Sequence, residues 1–75
     1  MELKEFIEFF ANQFDDTDEK VFTPNCKFQE IEEWGSLTAL GVIAFVRTEY
    51  GKKITGQEIR SCSTIEELYN LVNQL

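Results

Sequence analysis

The sequence predicts an all-α fold: a small four-helix bundle of three longer helices and one short one, with a long loop between the first and second. Three observations predict it. Apolar residues recur at spacings of three and four near both ends of the chain, as the buried stripe of an amphipathic helix does. Two Ser/Thr-x-x-Glu patterns, starting at Thr55 and at Ser63, have the form of capping boxes that open helices. No stretch alternates apolar and polar residues as a half-buried strand would.

Residues 1–75 contain no linker-like stretch and read as one domain. A chain of this size buries only ~60% of its unfolded surface, so its core must be dense. Seven Phe, one Trp and two Tyr, within 43% apolar residues, supply that density.

Each element follows from local pattern. Leu3, Phe6, Ile7, Phe10 and Phe14 lie on one face of a first helix, with Glu2, Glu5 and Glu8 near its start, where the helix dipole favours acids. Asp15-Asp16-Thr17-Asp18 puts negative charge where a helix C-terminus disfavours it, so the helix should stop there. Residues 15–35, with the only proline at Pro24, form a long connection. Its Val21, Phe22, Phe28, Ile31 and Trp34 should pin it against the bundle. Residues 36–50 form the second helix, ended by Gly51 and followed by Lys52 and Lys53. On it Ala39, Val42, Ile43, Val46 and Tyr50 face the core, while Leu37, Thr38, Gly41, Ala44 and Thr48, with Arg47 nearby, face outward. Phe45 fits either a place beneath the loop or a docking patch. The Thr55–Glu58 box opens a one-turn helix around Ile59, and the Ser63–Glu66 box opens a last helix that turns Ile65, Leu68, Tyr69 and Val72 inward.

Charge narrows the function. The net charge is −7, and it is uneven: residues 1–35 hold ten acids and three bases, whereas residues 36–75 hold four of each. Such a surface repels phosphate backbones, which excludes nucleic-acid binding and favours basic protein partners. With no signal-peptide pattern and no membrane-length apolar run, a cytoplasmic protein without a membrane span is expected. Cys26 and Cys62 are too few for a disulfide framework and lack metal-ligand spacing, so they read as half-buried thiols.

The residue that carries chemistry is Ser36, at the start of the second helix. The chain has no His to activate it. Gly35-Ser36 also lacks the strand and flanking glycines of a nucleophile elbow. Glu32-Glu33 reads as a solvated loop pair rather than a metal site. Ser36 is therefore a residue on which other enzymes act, and the chain carries no catalytic residue. A phosphodiester on its Oγ would be stabilised by the helix N-terminus.

Trp34-Gly35-Ser36-Leu37-Thr38-Ala39-Leu40, then Glu49-Tyr50-Gly51-Lys52-Lys53-Ile54, then Ser63-Thr64-Ile65-Glu66-Glu67-Leu68-Tyr69 resembles the acyl carrier proteins of type II fatty acid and polyketide biosynthesis. The resemblance spans nearly the whole chain. It implies a four-helix carrier whose Ser36 receives 4'-phosphopantetheine from coenzyme A, through a Mg²⁺-dependent phosphopantetheinyl transferase. Acyl groups would ride as thioesters on the arm's terminal thiol, whose chemistry belongs to the cofactor. It further implies acyl-transferring and chain-elongating partners such as a ketosynthase, meeting Trp34, Gly35, Leu37, Thr38, Gly41, Ala44 and Arg47. A monomer is expected.

The chain departs from the family at two places. Gly35 stands where most acyl carriers have Asp. The second helix carries only Glu49 as an acid, so docking acids come from Glu30, Glu32 and Glu33 in the preceding loop. The acid-poor second helix points to a specialised fatty acid or polyketide pathway, while Gly35 bears on docking of the modifying transferase. A peptidyl, aminoacyl or D-alanyl carrier is the alternative within carriers. An unmodified helical adaptor is the alternative outside them.

Overall fold

Four α-helices order the backbone of the computed structural model, which describes residues 2–75: α1 (Leu3–Ala11), α2 (Ser36–Tyr50), α3 (Gly56–Arg60) and α4 (Ile65–Gln74). Two 3₁₀ turns, Glu19–Val21 and Phe28–Glu30, shape the connection between α1 and α2. No strand occurs among the described residues. The expected bundle of three longer helices and one short one is present. α1 packs against α2 and α4, and α2 packs against α3.

The core is chiefly aromatic. α1 buries Phe6 and Phe10 completely, and α4 does the same with Ile65, Leu68 and Val72. α1 ends at Ala11, a turn before the expected stop. Tighter bonds then continue the chain, from Gln13 N–H to Phe10 O and from Phe14 N–H to Ala11 O, and these carry Phe14 into the core although it has left the helix. α2 buries Val42, Phe45 and Val46, with Ala39, Ile43 and Tyr50 half-buried beside them. Phe45 belongs to the interior: its ring meets Phe6 edge-on at 5.3 Å and stacks on Phe9 at 5.9 Å. That contact set removes it from any docking patch.

Helix ends follow their chemistry. Gly51 closes α2 at φ +66°, in the left-handed region that favours glycine, and its N–H reaches Arg47 O at 3.0 Å. At α3, Thr55 Oγ1 accepts the Glu58 N–H at 3.1 Å and Glu58 Oε1 accepts the Thr55 N–H at 2.9 Å, the reciprocal box the sequence predicts. At α4 the cap falls one residue later than expected, and the reciprocal box does not close on it. Thr64, not Ser63, is the cap and accepts the Glu67 N–H at 3.1 Å, while Glu67 Oε1 accepts the Ser63 N–H at 2.7 Å. The shift has a tertiary cause: the N–H groups of Ile65 and Glu66 donate to Cys26 O and Pro24 O in the long loop, at 3.1 and 3.0 Å.

That loop is pinned as its apolar residues predict. Phe22 and Phe28 are buried, and Trp34 lies parallel to Phe10 with ring centroids 6.1 Å apart. Val21 departs from the expectation and remains 42% exposed. The Gln29 side-chain amide ties the loop to the end of α3 by donating to Cys62 O at 2.7 Å. Among the described residues no helix is long and apolar enough to cross a membrane.

Candidate functional site

Ser36 is the first residue of α2, and it is exposed. Among the described residues no hydrogen bond engages its hydroxyl. Gly35 precedes it in extended conformation, φ −176°, which any residue can adopt. A Cβ at Gly35 would meet nothing within 4 Å. Having no side chain, Gly35 leaves the first-turn amides of α2 without a side-chain acceptor. The starts of α3 and α4 differ, since a threonine caps each.

Thr38 bonds to the chain entering α2 instead of facing a partner. Its Oγ1 accepts the Gly35 N–H at 2.8 Å and lies 3.0 Å from Gly35 O, where it can donate its own hydrogen. These bonds turn the side chain inward and leave only 9% of the residue exposed. The outward placement expected for Thr38 is therefore corrected.

Two more of the expected docking residues are half-buried. Gly41 is half-buried beside Gln13, just past the end of α1, and a Cβ there would displace the end of the Gln13 side chain. Gln13 is held in place by its own bond from Nε2 to Phe9 O, at 3.1 Å. Trp34 is half-buried, stacked on Phe10 and Phe14 and set edge-on to Phe28 at 4.9 Å. Its ring fastens the end of the loop to the core.

The surface around Ser36 is formed by other side chains. Leu37 is 83% exposed and Leu40 is 61% exposed, one turn apart on α2. Ala44 and Arg47 continue the exposed face. Leu40 was not assigned to this face from sequence; its spacing of three from Leu37 and four from Ala44 is the signal for it.

Electrostatics near the site come from the loop. The first turn of α2 has no acid. Glu33, three residues before Ser36, is not a free docking carboxylate. It accepts hydrogen bonds from the Thr17 hydroxyl and from the N–H groups of Asp15 and Asp16, the latter two at 3.0 and 2.9 Å. The Thr17 bond, with help from the two amides, holds its carboxyl below the usual glutamate range. Glu30 and Glu32 remain exposed.

No cluster of His, Cys, Asp and Glu capable of holding a metal ion occurs among the described residues. Cys26 and Cys62 are free thiols, and burial raises the pKa of both. Compared with family models, curated proteins and solved structures, the chain shows no significant match to any.

Proposed function

We propose that this chain is an acyl carrier protein, holding acyl intermediates as thioesters on a 4'-phosphopantetheine arm joined to Ser36, in a specialised fatty acid or polyketide pathway. One observation carries the reading: an exposed serine with an unengaged hydroxyl opens a 15-residue helix whose first-turn amides have no side-chain acceptor. Those amides and the helix dipole favour a phosphodiester at that oxygen. The absence of a side chain at Gly35 leaves room for it.

The attachment has a simple balance. Ser36 Oγ forms a bond to the pantetheine-side phosphorus of coenzyme A, the pyrophosphate linkage breaks, and adenosine bisphosphate leaves. The hydroxyl proton goes to a base supplied by the transferase, since this chain has no His. Once attached, the arm supplies the thiol on which acyl groups are carried. The protein supplies the oxygen, the anion-stabilising helix start and an exposed face of Leu37, Leu40, Ala44 and Arg47 for partner enzymes.

Incubation with a phosphopantetheinyl transferase, Mg²⁺ and coenzyme A tests the reading by intact mass. The wild-type chain is expected to gain one phosphopantetheine and Ser36→Ala none. No gain with any of several transferases, alongside full modification of Gly35→Asp, would overturn natural modification. That result would favour the adaptor reading, which Gly35 itself motivates. Loading assays with acyl-activating and aminoacyl-activating adenylating enzymes separate acyl from peptidyl, aminoacyl or D-alanyl cargo.

A further inference from the structure

The long loop forms an open groove of about 940 Å³ that is independent of Ser36. Half-buried Cys26 and Ile31 line it together with Val21, which is 42% exposed. Val21 is the exception among the loop's large apolar residues: Phe22 and Phe28 are 8% and 0% exposed. Exposed Asp16, Glu30 and Glu32 also border the groove, and Glu33 brings its carboxylates to four against one cation, Lys27.

The groove is built before any partner arrives. Glu33 bonds to the Asp15–Thr17 segment and so ties the end of the loop to its beginning. On another side the carbonyls of Pro24 and Cys26 accept the first amides of α4. Walls fixed in this way reduce the ordering cost that binding would otherwise carry.

Its chemistry selects the occupant. Anionic ligands are repelled by the acids around it. A purely cationic ligand would leave Val21 and Ile31 wet. We propose that the groove docks a cationic amphipathic segment of a partner protein, seating an aliphatic side chain against Val21, Cys26 and Ile31 and bringing Lys or Arg to Asp16, Glu30 and Glu32. The partner charge complements the acidic half of the chain, where residues 1–35 carry ten acids and three bases.

The test titrates the isotope-labelled full chain with a short synthetic peptide alternating leucine and arginine, followed by NMR. Spermine serves as a probe with charge but no apolar side chain. Amide shifts are expected to concentrate within residues 16–33, with spermine binding more weakly than the peptide. Val21→Ser removes apolar surface at an exposed position and should weaken peptide binding about tenfold. The double variant Glu30→Gln, Glu32→Gln should weaken it comparably, whereas Glu2→Gln, Glu8→Gln at the start and on the exposed side of α1 removes the same charge away from the groove and should leave it unchanged. Shifts spread over the acids of α1 and α4, equal weakening by the α1 variant, spermine binding as tightly as the peptide, or shifts centred on Leu37 and Leu40 would each overturn the proposal.

Discussion

Thr38 closes the entrance to α2 on Gly35, with its Oγ1 accepting the Gly35 N–H at 2.8 Å. The bond replaces half of a capping box. Gly35 has no side chain to accept the amide three residues on, yet its own N–H is still satisfied. Thr38→Val keeps the volume and deletes the acceptor, so stability should fall by about 1 kcal/mol. Urea denaturation measures the loss. The carrier reading adds that Ser36 stays exposed in this variant, so transferase modification of the folded protein should be unchanged.

Gly35 itself is replaceable on physical grounds. Its backbone is extended and a Cβ there meets nothing within 4 Å, so Gly35→Asp introduces no strain. An Asp carboxylate would accept one of the uncapped first-turn amides and stabilise α2 by a few tenths of a kcal/mol, roughly 0.3. Thermal unfolding should show a small upward shift. If a carboxylate before the serine aids the modifying enzyme, time courses by intact mass should show Gly35→Asp modified faster than wild type.

The bonds to Glu33 make part of the stability depend on pH. Thr17, Asp15 and Asp16 donate to its carboxylate, which holds the folded-state pKa below the usual glutamate range. A depressed carboxylate contributes stability that is complete above the unfolded pKa and is lost as pH falls through the folded value. Glu33→Gln should therefore be less stable than wild type near neutrality, and the gap in urea midpoint should narrow progressively on acidification.

Much of this architecture is legible in the sequence because it is local. The three- and four-residue spacing at Phe6 and Phe10, and at Ile65, Leu68 and Val72, identifies the faces that are in fact buried. Thr55 and Glu58 announce α3 within four residues, and Gly51 announces the end of α2. What stays illegible depends on distant partners. Ser63 and Thr64 each have a glutamate three residues on, so the pattern is degenerate until Pro24 and Cys26 carbonyls select Thr64 as the cap. Thr38 has the helical angle of an outward residue, but hydrogen bonding rather than periodicity decides where its hydroxyl goes. Gly41 reads as a small surface residue because nothing local shows that Gln13 lies beside it. Glu33 belongs to an acidic loop by composition, and its partners lie sixteen to eighteen residues earlier.

Tyr50 presents the opposite case from Glu33, a polar group buried without compensation. Its ring is well placed, with centroids 5.9 Å from Phe6, 6.0 Å from Phe9 and 6.4 Å from Phe45. Its hydroxyl is buried and makes no well-formed hydrogen bond among the described residues. Burial first, then the charges of Glu5 and Glu49, push its pKa up to about 12. A smaller share comes from the Glu5 carboxylate's contact with the neutral hydroxyl, which falls short of a well-formed hydrogen bond. Tyr50→Phe keeps every ring contact and removes the unsatisfied oxygen, so it should raise stability at neutral pH, by up to ~1 kcal/mol. The alkaline limb carries a second signature. A raised folded-state pKa contributes stability that is complete below the unfolded tyrosine value, roughly 10, and is lost as pH climbs through the folded value. Wild type should therefore weaken over that interval more steeply than Tyr50→Phe, as urea midpoints would show. Ultraviolet titration of the folded wild type should show a late-ionising tyrosine that the variant lacks. If Tyr50→Phe instead lowered stability at neutral pH, the hydroxyl would have to be making a favourable bond, and the account of an uncompensated group would fail.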